Sequence, residues 1–435
     1  MNRIAAAFVL AWVVIGGACA SVVVIEDSVG ATSASATSSG GGAGGTIGVT
    51  ASSASVGAGG STVSAASGAG GSIEVPVPDR AVAYQIDVAH TGAQTGDTLM
   101  PPLSQRWSVD FGNSVSYPLI VDGRVFAVVS KKPDSGTQLY ALDQATGAVV
   151  WGPVEFPGYD WGASAAYGGG RIFVQNRQGL LCAYDAGTGV QSWCLQPEKF
   201  PSCGLPPVAF DGRVHACASR GVIAVSQATG EVLWKFPFEQ ALWTSPSVSA
   251  SGIYVSFGVH QVYDLDPATG TVLWNTSNPG QGIGERLTAL FEGVLYERQD
   301  SLQYGSAFDA TTGAELGKFS TNRSPAFHGG RGFFFEDNVL VARAVPAFVD
   351  AWSFTAPTFS FSMAPIVVNG HVYALNDAGT LYAFDEQSGA VVWSADVGEK
   401  VFWSMPDVSG VPLQALAAGG GALIVPVNHR LVAYW

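Results

Sequence analysis

From about Tyr84 onward, apolar and polar residues alternate in short runs, as in LYALD from Leu139, LCAYD from Leu181 and LYAFD from Leu381. A period of two, in runs rich in Val, Leu, Tyr and Trp, predicts half-buried β-strands. The runs belong to a longer phrase. LYALDQATGAVVW begins at Leu139, LLCAYDAGTGVQSW at Leu180, VIAVSQATGEVLW at Val222, VYDLDPATGTVLW at Val262 and LYAFDEQSGAVVW at Leu381, with a worn copy, SAFDATTGAEL, at Ser306. Each holds a strand, a turn and a second strand that, in five of the six, ends in Trp four residues after the turn glycine. Turn chemistry separates the strands. Asp143, Asp185, Asp266, Asp309 and Asp385 (Ser226 in the third copy) can cap backbone N–H groups, and Gly147, Gly189, Gly230, Gly270, Gly313 and Gly389 supply positive φ.

Upstream of each hairpin lies another strand pair around Asp-Gly or Gly-Gly, as in PLIVDGRVFAVVS from Pro118, PVAFDGRVHACAS from Pro207 and PIVVNGHVYALN from Pro365. One unit is therefore four antiparallel strands, A to D, in about 40 residues, the size of a propeller blade. A Trp ending strand D can wedge between neighbouring blades. The docking positions are Trp107, Trp151, Trp193, Trp234, Trp274, Gly317 (where Trp is lost), Trp352 and Trp393, at intervals of 35 to 44 residues. The chain stops after ALIVPVNHRLVAYW, without a last strand D, while Trp107 precedes the first complete blade. The fold predicted is all-β: an eight-bladed propeller over residues 79–435, closed by the N-terminal strand completing the C-terminal blade. The sixth blade, near 325–355, lacks Thr-Gly, and seven blades is the alternative.

The first 20 residues read as an export signal: Arg3, an apolar run from Ile4 to Ile15 too short to span a membrane, then small residues. Gly17-Ala18-Cys19 reads as a lipobox, making Cys19 a lipidated N-terminus; Ala18-Cys19-Ala20 also suits ordinary signal cleavage. Lipidation is the preferred reading because residues 21–78 are dominated by Ser, Gly, Ala and Thr, a flexible tether that an anchor would explain.

Composition narrows the partners. The net charge is −14 and only 12% of residues are charged, so no basic patch offers itself to nucleic acid. Cys182, Cys194, Cys203 and Cys217 remain after export, an even number suited to two disulfides. Three pairings exist. Cys194–Cys203 with Cys182–Cys217 is preferred, because the first would staple a blade junction; four buried thiols is the alternative.

The strand–Asp–Thr-Gly–Trp phrase resembles the repeat of the pyrroloquinoline-quinone (PQQ) propeller family, from about Tyr84 to Trp435, with His90-Thr91-Gly92 similar to the family's lead-in. The resemblance implies one of two roles. Quinoprotein dehydrogenases hold PQQ and calcium in the axial channel, often beneath adjacent cysteines, and this chain has none adjacent. The propeller lipoproteins of the outer-membrane barrel-assembly machinery, nearer in character, act as docking scaffolds.

The search for further chemistry returns little. His90, His215, His260, His328, His371 and His429 share no ligand spacing, so no metal site is expected. Asp264-Leu-Asp266 resembles the start of a calcium loop, yet Asp266 is the repeat's own turn cap. No Gly-x-Ser-x-Gly elbow occurs. One recurrence is not demanded by the hairpins. Trp161, Trp243 and Phe361 each stand nine residues before an A–B turn glycine, and Trp403 holds the comparable place in the last blade. With Arg286 they suggest a cup at one axial mouth for a peptide strand or a glycan; the alternative is that they pack the blade links. The expectation is an exported monomer at the outer membrane, binding a protein partner of the cell envelope (barrel-assembly machinery among the candidates), without catalysis or cofactor. A PQQ- and calcium-dependent dehydrogenase and a cell-surface structural protein are the alternatives.

Overall fold

The computed structural model describes residues 79–158, 162–196, 205–218, 221–238, 244–257, 261–277, 286–299, 304–357, 360–401 and 412–435. The described residues form strands and turns, without helices, in eight four-stranded antiparallel blades arranged as a ring. Blade 1 consists of Leu119–Val121, Arg124–Ser130, Thr137–Asp143 and Val149–Phe156. Blades 2 to 5 follow at 163–195, 208–237, 247–277 and 286–320, and blade 7 at 366–396. Blade 6, despite its missing Thr-Gly, has all four strands: Ala326–His328, Arg331–Glu336, Val339–Ala344 and Val349–Thr355. The count is eight.

Both ends of the ring share the last blade. Ala417–Gly419, Ala422–Val427 and Arg430–Tyr434 are strands A to C. Strand D is Gln105–Asp110, antiparallel to strand C with Trp107 opposite Ala433 and Ser108 opposite Val432. This pairing covers two sheet edges with one another, removing the exposed ladder that either end would present.

The turns behave as their composition dictates. Asp143 Oδ1 accepts from the N–H and hydroxyl of Thr146 at 2.9 and 2.7 Å, and Gly147 holds φ at 73°. Ser226 is a longer cap, 3.3 Å from the Thr229 N–H.

Blades are joined by the docking tryptophans. Trp107, Trp151, Trp193, Trp234, Trp274 and Trp352 donate Nε1–H to the carbonyls of Gln144, Ala186, Gln227, Pro267, Ala310 and Glu386, at 2.7–3.1 Å. Every acceptor lies in the next blade. Each indole also lies against the Thr-Gly or Ser-Gly glycine of that next blade, where a Cβ on Gly147, Gly189, Gly230, Gly270, Gly313 or Gly389 would approach to 2.5–2.8 Å. These glycines are therefore fixed twice, by positive φ and by a flat ring with no room for a methyl. Trp393 differs because blade 8 has no C–D hairpin. It lies edge-on to Tyr434, 5.8 Å between ring centres.

Candidate functional site

The chain enters the ring at Asp79 and, from Ala81 to Gln94, runs round the inside of the channel along the ends of the A strands. Ala81 exchanges two backbone hydrogen bonds with Ile120 of blade 1, both 2.9 Å. The carbonyls of Val82, Val88, Ala89, Thr91 and Gly92 then accept from Tyr167, Val248, Leu290, Phe327 and Val367, in blades 2, 4, 5, 6 and 7, at 2.7–2.9 Å. Ala93–Gln94 pair parallel with Val367 and Val368, and Gln94 Nε2 reaches the Ala418 carbonyl of blade 8. Val88 packs on the apolar cluster that contains Val208 of blade 3. One strap is hydrogen-bonded to seven of the eight blades.

Its side chains fill the axis. The Tyr84 ring stands edge-on to Tyr117, ahead of blade 1, at 5.6 Å, and to His90 at 5.9 Å. The Tyr84 hydroxyl donates to Ser324 Oγ, ahead of blade 6, at 3.1 Å. Gln85 Nε2 donates to the carbonyls of Pro325 and Pro365, both at 3.3 Å. Leu287 of blade 5 packs into the same apolar cluster as Tyr84, Tyr117 and Leu119, across the ring from blade 1.

Two titratable groups are buried in the strap. The Asp87 carboxylate accepts from the N–H groups of Ala89 and Thr91 and from the Thr91 hydroxyl, while burial pushes its pKa above the ordinary range. His90 donates Nδ1–H to the Thr288 carbonyl at 3.0 Å, and burial lowers it to about 4, so the ring is neutral at neutral pH. Both are held as structural groups rather than set out for a substrate.

The cup expected at one axial mouth falls only partly within the described residues. Phe361 is buried, stacked on Phe335 with ring centres 4.3 Å apart, so it packs a blade link and lines no open surface. Arg286 begins strand A of blade 5, with its backbone opposite Thr244 and Gln299. The Arg286 side chain, Trp161, Trp243 and Trp403 lie outside the described residues, as does Cys19.

The cysteines correct the preferred pairing. Cys182 is bonded to Cys194, its direct partner across strands C and D of blade 2, so the bond lies within one blade and staples no junction. Adjacent antiparallel strands bring opposite Cβ atoms within disulfide reach, and the register alone decides this. Cys217 is also disulfide-bonded, which sets aside the reading of four free thiols. Cys203 lies outside the described residues.

Between the strap and the A strands of blades 5 and 6 lies a cleft of ≈ 290 Å³. Phe291, Phe327, Val82, Ile86 and Ala93 form its apolar wall, with Arg80 and His328 among its polar residues. His328 is set by Glu386, whose carboxylate oxygens lie 2.8 and 3.0 Å from Nδ1. The hydrogen bond to that carboxylate raises the His328 pKa against the opposing effect of burial. The sequence did carry a signal for the strap: Val82, Tyr84, Ile86 and Val88 alternate ahead of the first blade with no partner strand.

The family model described as outer membrane protein assembly factor BamB matches residues 30–193, 136–219, 218–298 and 305–434. The chain belongs to that family. A curated relative, the outer membrane protein assembly factor BamB of Moranella endobia (strain PCIT), is 25% identical over 273 residues, covering 60% of this chain and 61% of the relative. The chain thus spans under two thirds of that relative's length. Among solved structures, BamB from Moraxella catarrhalis aligns over 77% of this chain and 98% of its own, at 15% identity and a TM-score of 0.56. The quinohemoprotein alcohol dehydrogenase of Comamonas testosteroni aligns over 82% and 80%, at 16% identity and a TM-score of 0.63. At these identities the two structures establish the fold alone.

The fold thus brings a quinone and calcium into question. Tyr84, Gln85 and His90 occupy the axis along the short A strands, and the described residues contain no group of three or more His, Cys, Asp or Glu able to hold a metal ion. These residues do not fit a quinone–calcium pair on the axis at that level.

Proposed function

We propose that the protein is a binding scaffold of the bacterial cell envelope, engaging protein partners of outer-membrane assembly through its outer surfaces and link-side loops. The observation that carries this reading is the strap: the chain's own residues 81–94 occupy the inner ends of the A strands, so a protein partner is left to the outer surfaces and to the loops between blades. Family membership supports the assembly role. In this reading the first 20 residues direct export, Cys19 carries a lipid, and residues 21–78 tether the ring to the outer membrane with a root-mean-square reach of about 40 Å. Peptide or glycan capture at one axial mouth falls to Trp161, Trp243, Arg286 and Trp403. No catalytic step is assigned.

Pull-down of the full chain from membranes, with mass spectrometry of the mature N-terminus, tests the proposal. Recovery of barrel-assembly components and a diacylated Cys19 is the expected result; an unlipidated N-terminus with no envelope partner counts against it. The quinoprotein reading rests on the fold shared with the alcohol dehydrogenase. Dye reduction by alcohols or sugars after adding PQQ and calcium would establish it instead.

A further inference from the structure

We propose that the cleft between the strap and blades 5 and 6 is a binding site for a small aromatic carboxylate, with Phe291 receiving the ring and Arg80 and His328 the anion. The aromatic wall is preformed: Phe291, which lines the cleft, is stacked on the buried Phe327 ring at 5.7 Å with the planes 21° apart. Backbone hydrogen bonds to Leu290 and Phe327 pin the strap on the opposite side, so the walls cannot drift apart without breaking the ring's inner ladder. At ≈ 290 Å³ the space suits a ligand at the small end of the usual range.

The charge is placed for an anion. In a chain of net charge −14, a guanidinium, Arg80, and an imidazole, His328, meet at this one cleft. Of the nearby carboxylates, Glu386, Asp87 and Asp122 are engaged with other groups, and Glu292 remains as an exposed negative charge. Glu386 is 3% exposed and holds His328 through Nδ1, while His328 Nε2 has no hydrogen-bond partner among the described residues. Asp87 lines the cleft but spends its oxygens on Ala89 and Thr91. Asp122 holds Arg80 through Nη2 at 2.5 Å, leaving the other guanidinium donors, and Glu292 acts on His328 only through its charge. A carboxylate in the cleft would thus meet the Arg80 guanidinium and, when the imidazole is protonated, His328 Nε2–H, while its ring displaces water from an apolar wall.

The test is calorimetric titration of the full chain with phenylacetate, its neutral isostere phenylacetamide, and acetate. Phenylacetate should saturate and bind at least about tenfold tighter than either. His328→Gln, which keeps a neutral donor toward Glu386, should lose about tenfold for phenylacetate with phenylacetamide and the melting temperature unchanged. Should that variant fold poorly, the unmodified chain still decides: affinity must fall as pH rises through the His328 titration followed by imidazole proton NMR. Equal binding of the two isosteres, no saturation at the solubility limit, or affinity independent of that titration overturns the proposal.

Discussion

Gly317 and Phe348 face each other across the junction of blades 5 and 6 with their sizes exchanged. Gly317 holds the position that is Trp in the other blades, and Phe348, with φ at 54°, holds the place of the turn glycine. A Cβ on Gly317 would come 3.0 Å from the Phe348 ring. At six junctions a large ring from one blade covers a glycine of the next; here the large ring comes from the later blade and the earlier one yields. Phe348 stacks with Phe319 at 5.7 Å and meets Tyr296 and Phe334 edge-on, so an aromatic cluster replaces the missing indole.

The exchange makes the two positions energetically coupled. Gly317→Trp alone should destabilise the protein by about 1–3 kcal/mol through overpacking, and Phe348→Gly alone by about 3–5 kcal/mol through the cavity left behind. The double variant should recover a large part of the summed loss in urea denaturation. Strict additivity of the two changes would show that the pair is not a swap.

At the other junctions the turn glycine answers to the neighbouring blade. Gly189 and Gly123 both have positive φ, 73° and 76°, but a Cβ on Gly189 would lie 2.7 Å from Trp151 while one on Gly123 meets nothing within 4 Å. Replacing either by Ala carries the same backbone strain of about 1–2 kcal/mol. Gly189→Ala should cost about 1–3 kcal/mol more, the share owed to the indole. Equal losses in thermal melts would remove the indole from the account.

Asp264 breaks a pattern that the other seven blades keep. Opposite the docking position, strand C carries Ala141, Ala183, Ala224, Ala307, Ala342, Ala383 and Ala433, whereas Asp264 stands opposite Trp274. It is 4% exposed, its Oδ1 has no hydrogen-bond partner, and burial, with Asp266 adding to it, pushes its pKa from the ordinary 3.8 up to about 7. Between those values the unfolded chain has lost the proton that the folded chain keeps, so stability falls as pH rises through the window and levels off above about 7. Asp264→Ala should flatten that slope and add about 1–3 kcal/mol at pH 8. An unchanged pH profile would place the proton elsewhere.

The strap should be required for the ring, and the residues before it should not. A chain beginning at Asp79 should melt with the full-length protein. One beginning at Thr95 loses the backbone hydrogen bonds to blades 1, 2, 4, 5, 6 and 7 together with Tyr84, a loss of roughly 5 kcal/mol or more. Matching melting curves for the two shortened chains would mean the strap is an accessory.

Much of this architecture is written locally. Alternation, turn residues and the repeat period set the strands, the hairpins and the blade number, and the missing last strand D announced that Trp107 must close the ring, because a sheet edge left open has to be paired. Such features depend on residues a few positions apart. What the tertiary structure alone decided involves residues far apart in sequence. The strap reads as a short alternating run, yet it is defined by its partners on seven blades. Trp and Gly of one repeat look like a pair within that repeat, but at six junctions the Trp seats on the glycine of the next, since the indole projects beyond its own sheet. The Cys182–Cys194 bond is by contrast local: the two lie twelve residues apart on one hairpin, whose turn sets the register that puts them opposite. Phe361 turned inward for the same reason that the cleft exists: which face of a link is covered depends on what the ring packs against it, and only closure of the ring brings that neighbour into place.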